Sequence, residues 1–220
     1  MTEDQSTSHI VLSKIYTRTG DEGTTALGDM SRVSKNDSRI HAYADCEEAN
    51  AAIGVALALG GTLTRETVNL LGRVQNDLFD VGADLAAPLS SETRNPPIRI
   101  DASYVEFLES ACDHHNEGLP TLRSFILPGG TVAASLLHLA RTVVRRAERT
   151  AWRALDDHGD GVNPYTARYL NRLSDLLFIL ARTANAEHGD MLWRPGLATV
   201  QPEAAEESAT EEAAPEQEEE

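Results

Sequence analysis

Four residues in the second half of the chain fall at spacings of four, three and four, which on a helix places them together. Plotted at about 100° per residue, Arg141, Arg145, Glu148 and Trp152 lie within about 60° of one another. Arg149 borders that stripe, and Val144, Ala147, Ala151 and Leu155 occupy the opposite side. Stacked guanidinium groups repel unless an anion lies across them, and their planar forks match phosphate oxygens. A polyphosphate is the natural ligand for such a stripe. The alternative is a solvated face laced with i,i+4 ion pairs.

Two further segments carry chemistry of the same kind. Asn171, Asp175, Phe178, Arg182 and Asn185 share one helical face, with Leu173, Leu176, Leu177 and Leu180 on the other. A bundle lined by such polar groups is costly unless they pair with each other or with a ligand. Near the N-terminus, Tyr16-Thr17-Arg18-Thr19-Gly20-Asp21-Glu22-Gly23-Thr24-Thr25 offers backbone donors freed by glycine, hydroxyls and one arginine. Lys35, one of two lysines in the chain, lies ten residues on. No Gly-Lys-Ser/Thr follows at the spacing of a Walker A loop.

The elements that must hold these residues are predicted to be helices. Residues 9–38 lack helical periodicity and form an ordered loop segment. An Ala-rich, deeply buried helix over 39–60 follows, then one starting near Thr64 with Val68, Leu71, Val74, Leu78, Val81 and Leu85 inside. Asp101 or Ser103 caps a third through Asn116, and Pro128-Gly129-Gly130 precedes a fourth over 131–156. Asn163-Pro164 opens the fifth, with Gly189 as its C′ residue after about His188. Five helices and no alternating strand pattern give an all-α, five-helix up-and-down bundle, whose surplus apolar surface hints at oligomerisation.

Composition bounds the rest. The 220 residues suffice for one domain with a sizeable core. The formal charge is −16, and setting aside the nine Glu of residues 203–220 takes it to −7. We expect a disordered N-terminus over 1–8, a bundle domain over 9–200 and a disordered acidic tail over 201–220. An acidic body argues against nucleic acid. No apolar run is long enough to span a membrane, no hydrophobic leader is expected from the polar Met1 to Ser8, and two cysteines build neither a disulfide framework nor a four-thiolate zinc site; the expected compartment is cytoplasmic. The histidines call for no metal role, and His114-His115 is taken as a surface helix end.

Together these strings resemble the PduO-type ATP:cob(I)alamin adenosyltransferases over about residues 13–194. The matches are Lys14-Ile15-Tyr16-Thr17-Arg18-Thr19-Gly20-Asp21-Glu22-Gly23, Phe125-Ile126-Leu127-Pro128-Gly129-Gly130-Thr131, Ala140-Arg141-Thr142-Val143-Val144-Arg145-Arg146-Ala147-Glu148-Arg149 and Asn171-Arg172-Leu173-Ser174-Asp175. The resemblance implies a homotrimer with sites between subunits, and transfer of the 5′-deoxyadenosyl group of ATP to cobalt with release of triphosphate. It assigns Thr17, Arg18, Thr19, Gly20, Thr25 and Lys35 to the triphosphate, with Arg145, Glu148, Arg149 and Asn171 completing the ATP site. Mg²⁺ would ride on the phosphates, and Phe125 would lie below the corrin of cob(II)alamin as it is reduced to cob(I)alamin. Arg141 would pair with an acidic residue of the first helix. Here the family's aspartate is replaced by Glu47, one methylene longer. A reductase and an adenosylcobalamin-dependent enzyme are the implied partners. Competing readings are a non-catalytic binding module and a structural bundle whose polar seam satisfies itself.

Overall fold

The computed structural model describes residues 15–89 and 96–196. The expectations for residues 1–8, Lys14 and the tail at 201–220 lie outside the described residues. Five helices form, each opened by a residue whose side chain accepts from the first turn: α1 (Ser38–Leu59) by Asp37, α2 (Arg65–Leu85) by Thr64, α3 (Ala102–Asn116) by Asp101, α4 (Val132–His158) by Thr131 and α5 (Pro164–Ala184) by Asn163. Pro164 at the first position of α5 costs no hydrogen bond, because that N–H has no intrahelical partner.

Successive helices alternate in direction. Asn50 Nδ2 donates to the Gln75 carbonyl (2.9 Å), tying α1 to α2, and Thr150 donates to Asp45 (2.9 Å), tying α4 to α1. α1 packs on α2 and α4, α4 on α5, and α5 on α3. The up-and-down bundle read from the sequence is the fold. Its core is lined on α1 by Ala42, Cys46, Ala49, Ile53 and Ala56, whose small side chains let α4 approach closely.

A buried polar knot locks one end. Asp84 Oδ1 accepts from Arg99 (2.6 Å), while Oδ2 accepts from the Ile100 N–H (2.8 Å) and Asn163 Nδ2 (2.6 Å). That joins the end of α2 to the starts of α3 and α5. Such a carboxylate is tolerated inside because every partner is present. At the opposite end Asn185 bridges Thr131 N–H (2.9 Å) and the Gly129 carbonyl (3.0 Å).

Two expectations need correction. The N-terminal segment is not loop alone: β1 (Thr24–Ala26) pairs antiparallel with β2 (Arg32–Ser34), Thr25 opposite Val33. Strands of three residues are too short to show alternation. α5 also stops at Ala184, four residues early, because Asn185 turns its amide into the loop before α4. Gly189 adopts φ +77° but closes the turn after the helix. Among the described residues no helix is long and apolar enough to cross a membrane. Val55 and Leu59 on α1, Phe79 on α2, and Val132 and Leu139 on α4 remain exposed.

Candidate active site

The arginine stripe faces outward as its spacing requires. Val144, Ala147 and Ala151 are buried on the inner side of α4, while Arg145 and Arg149 are exposed and Arg141 and Glu148 half-buried. Arg149 Nη1 donates to the Arg145 carbonyl (2.9 Å). Across the groove to α5, Asn171 Nδ2 donates to Glu148 Oε1 (3.0 Å). The two polar stripes therefore meet in one seam, at the Asn171 end.

At its other end the seam satisfies itself. Arg182 is buried, pairing with Asp190 (3.0 Å) and donating to the Pro120 carbonyl (2.7 Å). Arg182 and Asn185 thus act structurally, and the region open to a ligand narrows to Arg141, Arg145, Glu148, Arg149 and Asn171.

Arg141 carries an unsatisfied buried donor. Its Nε is buried without a hydrogen-bond partner among the described residues, and its guanidinium lies 5.9 Å from the Phe178 ring. Burial, and then the neighbouring Arg145, hold its pKa below the usual arginine range. One turn earlier, His138 is 2% exposed with neither ring nitrogen paired. Burial and then Arg141 hold its pKa below the ordinary imidazole value. Buried polar atoms are nearly always paired in a completed structure. This face of α4 therefore calls for partners that the described residues do not supply. His138 escaped the sequence reading; its only signal was lying three residues before Arg141.

The N-terminal loop presents a second set of phosphate-binding groups. Thr17 and Thr19 share a hydroxyl hydrogen bond (2.9 Å), and Arg18 adopts φ +63°. Arg32 donates to the Thr19 carbonyl (2.6 Å) and Thr24 Oγ1 (2.5 Å), bracing the turn. The Lys35 N–H donates to the Gly23 carbonyl (2.9 Å). A Cβ at Gly20 would lie 3.0 Å from Lys35 Nζ, so the glycine leaves the ammonium room against this turn. Thr25 follows in β1, opposite Val33. Among the described residues, no hydrogen bond or ion pair joins the stretch from Thr17 to Lys35 to Arg141, Arg145 or Arg149.

Glu47 and Phe125 also stand apart from the stripe. Asp45 opposite Thr150 sets the register of α1 on α4, so the α1 position level with Arg141 lies seven residues beyond Glu47, roughly 10 Å along the axis. Glu47 faces α2 instead, in a cavity of ≈ 260 Å³ with Tyr43, Cys46, Asn50 and Phe79. Asp45 and Glu48 take the α4 side, both paired with Arg146. The single chain therefore does not make the Glu47–Arg141 pair. Phe125 is 78% exposed beyond the N-terminus of α4, its ring 6.0 Å from that of Trp193. Main-chain bonds from Leu127 to Met191 and from Trp193 to Phe125, both 2.8 Å, hold the two segments together.

Both thiols are inert. Burial pushes Cys46 up to about 12 and Cys112 up to about 11. The site presents cations, amides and hydroxyls, with no activated nucleophile of its own.

Residues 15–184 match the profile of a family described as Cobalamin adenosyltransferase. The chain belongs to that family. A corrinoid adenosyltransferase of Mycobacterium tuberculosis is 62% identical over 185 residues, covering 84% of this chain and 95% of the relative. A corrinoid adenosyltransferase of Bacillus subtilis is 42% identical, covering 80% and 89%. Among solved structures, an arginine-to-lysine variant of a PduO-type corrinoid adenosyltransferase from Lactobacillus reuteri, complexed with ATP, superposes with a TM-score of 0.73. It is 37% identical, covering 82% of this chain and 100% of that one. A phenylalanine-to-alanine variant complexed with cobalamin and ATP gives a TM-score of 0.75 at 37% identity, covering 82% and 99%.

Proposed function

We propose that this adenosyltransferase-family chain moves the 5′-deoxyadenosyl group of ATP onto the cobalt of cob(I)alamin, forming adenosylcobalamin and releasing triphosphate. The observation that carries the reading is the buried, unpaired Nε of Arg141 beside Arg145, on a helix face where His138 too has no hydrogen-bond partner among the described residues. Triphosphate across Arg145 and Arg149, with a carboxylate of a neighbouring subunit at Arg141, supplies the anionic acceptors such a face calls for.

In the reaction the cobalt electron pair forms the Co–C5′ bond while C5′–O breaks, and the bonding pair departs on triphosphate. Cob(I)alamin is already a strong nucleophile, which agrees with a site lacking an activated base or thiolate. The protein's tasks are alignment of C5′ with cobalt and stabilisation of the leaving polyanion. Thr17, Arg18, Thr19, Gly20, Thr25 and Lys35 bind the phosphates from the loop. Arg145 and Arg149 hold them from α4, and Glu148 with Asn171 fixes the nucleoside end. Mg²⁺ would be held with the triphosphate that these residues bind, the site offering cations rather than a carboxylate cage, and would supply further charge neutralisation. Phe125, backed by Trp193, covers the lower face of the corrin and excludes a ligand to cobalt. A cytoplasmic reductant delivers the cob(I) state, and an adenosylcobalamin-dependent enzyme takes the product.

The working unit is a homotrimer with each site between two chains. Three features support this: the exposed apolar residues on α1, α2 and α4, a loop that does not bond to the stripe, and a Glu47 that cannot reach Arg141 within its own chain. Glu47 of one subunit then neutralises Arg141 of the next.

Arg145→Ala tests the clamp. The side chain is exposed, so the fold should persist, while adenosylation of cob(I)alamin should fall by about 10²–10³, the cost of one preorganised donor to a developing anion. Near-normal turnover by the variant would refute the assignment.

A further inference from the structure

Because α2 and α3 run antiparallel, the start of one lies beside the end of the other. This brings Glu66, in the first turn of α2, against His114 and His115 in the last turn of α3. His114 Nε2 lies 3.0 Å from Glu66 Oε1, and the two imidazoles meet edge to face with centroids 5.0 Å apart. One potential ligand atom from each of the three residues lies within 4.8 Å of the other two. Adjacent helical residues point about 100° apart, so neighbouring imidazoles converge only when both bend toward one place. Here they bend toward a carboxylate from another helix.

We propose that Glu66, His114 and His115 form a surface site for a borderline divalent transition ion such as Zn²⁺, separate from the adenosyl-transfer site. Two imidazoles and one carboxylate suit Zn²⁺, Ni²⁺ or Cu²⁺, whereas Mg²⁺ demands oxygen ligands. Bond lengths of about 2.0–2.2 Å place tetrahedral ligand atoms about 3.4 Å apart. The Glu66–His114 pair is already that close, and side-chain rotation closes the remaining gaps. Both side chains are free to rotate, being 61% and 64% exposed. Water completes the coordination. The ion would clip the end of α3 to the start of α2. α3 has reason to need this, since it buries only Leu108 and Cys112 of its fifteen residues.

The test uses the untagged full chain, stripped with chelator and titrated with ZnCl₂ by calorimetry in the absence of ATP, with MgCl₂ as comparator. One Zn²⁺ per chain, a melting temperature that rises with Zn²⁺, and no response to Mg²⁺ are expected. His114→Ala, His115→Ala and Glu66→Gln should each weaken binding by more than the roughly 10- to 100-fold that loss of an outer-shell partner costs. All three variants should retain adenosyl transfer. The proposal is overturned if the parent shows no saturable Zn²⁺ binding, or if the His114→Ala/His115→Ala double variant binds Zn²⁺ as the parent does.

Discussion

Gly130→Ala should lower the melting temperature by roughly 6–20 °C. Gly130 sits at φ +101°, where a side chain costs about 1–3 kcal/mol in backbone strain alone. The new Cβ would also lie within 2.6 Å of Asn185 Cγ. Asn185 is 1% exposed, and its amide both accepts from Thr131 N–H and donates to the Gly129 carbonyl. Displacing it removes two hydrogen bonds worth about 1 kcal/mol each. The sum is about 3–5 kcal/mol, at about 2–4 °C per kcal/mol for a chain of this size. Thermal unfolding followed by circular dichroism measures it, with Gly159→Ala as the control. Gly159 has φ +54° and ψ −129° with nothing within 4 Å of an added Cβ, so its cost is backbone strain alone, about 1–3 kcal/mol. If Gly130→Ala costs no more than Gly159→Ala, Asn185 is not a clamp and the ordering of the Phe125 loop has another cause.

If, as proposed, each site of a trimer draws Glu47 and Arg141 from different chains, Glu47→Ala and Arg141→Ala should each be inactive alone, yet random reassembly of equal amounts should restore activity to about one site in four. No recovery after verified subunit exchange would place both residues in one chain's site. Asp77 accepts from the Tyr169 hydroxyl (3.2 Å), and burial outweighs this bond and Arg73 in raising its pKa above 3.8. With the folded pKa above the unfolded one, its contribution is complete below about pH 4 and is lost as pH rises through the raised value. Asp77→Asn keeps an acceptor for Tyr169 and removes that loss, so its melting temperature relative to the parent should climb between pH 4 and pH 7. A flat or falling difference would contradict the assignment.

Much of the fold was legible because local chemistry and packing agree. Thr64, Asp101, Thr131 and Asn163 each announced a helix start, and the structure uses all four as caps. The four-three-four spacing on α4 gave the outward arginine stripe, since Val144, Ala147 and Ala151 leave it one direction to face. Long-range satisfaction was not legible. Asp84 looks unremarkable beside Leu85, and its partners come from residues 99, 100 and 163. Asn185 ended α5 early for a partner 54 positions away. Glu47 shows the same limit at the site: the motif marks it as important, but a helical wheel of α1 does not say which neighbour each face will meet.

The two cysteines have a consequence for the conditions in which this protein works. Neither is in a disulfide, and each thiol is held in its protonated form by burial. Generating cob(I) requires a strongly reducing milieu, which would open exchangeable disulfides and keep accessible thiolates in play. This chain offers it nothing to act on. With both thiols buried and free, a reducing milieu meets no disulfide to open and no exposed thiol on the described surface.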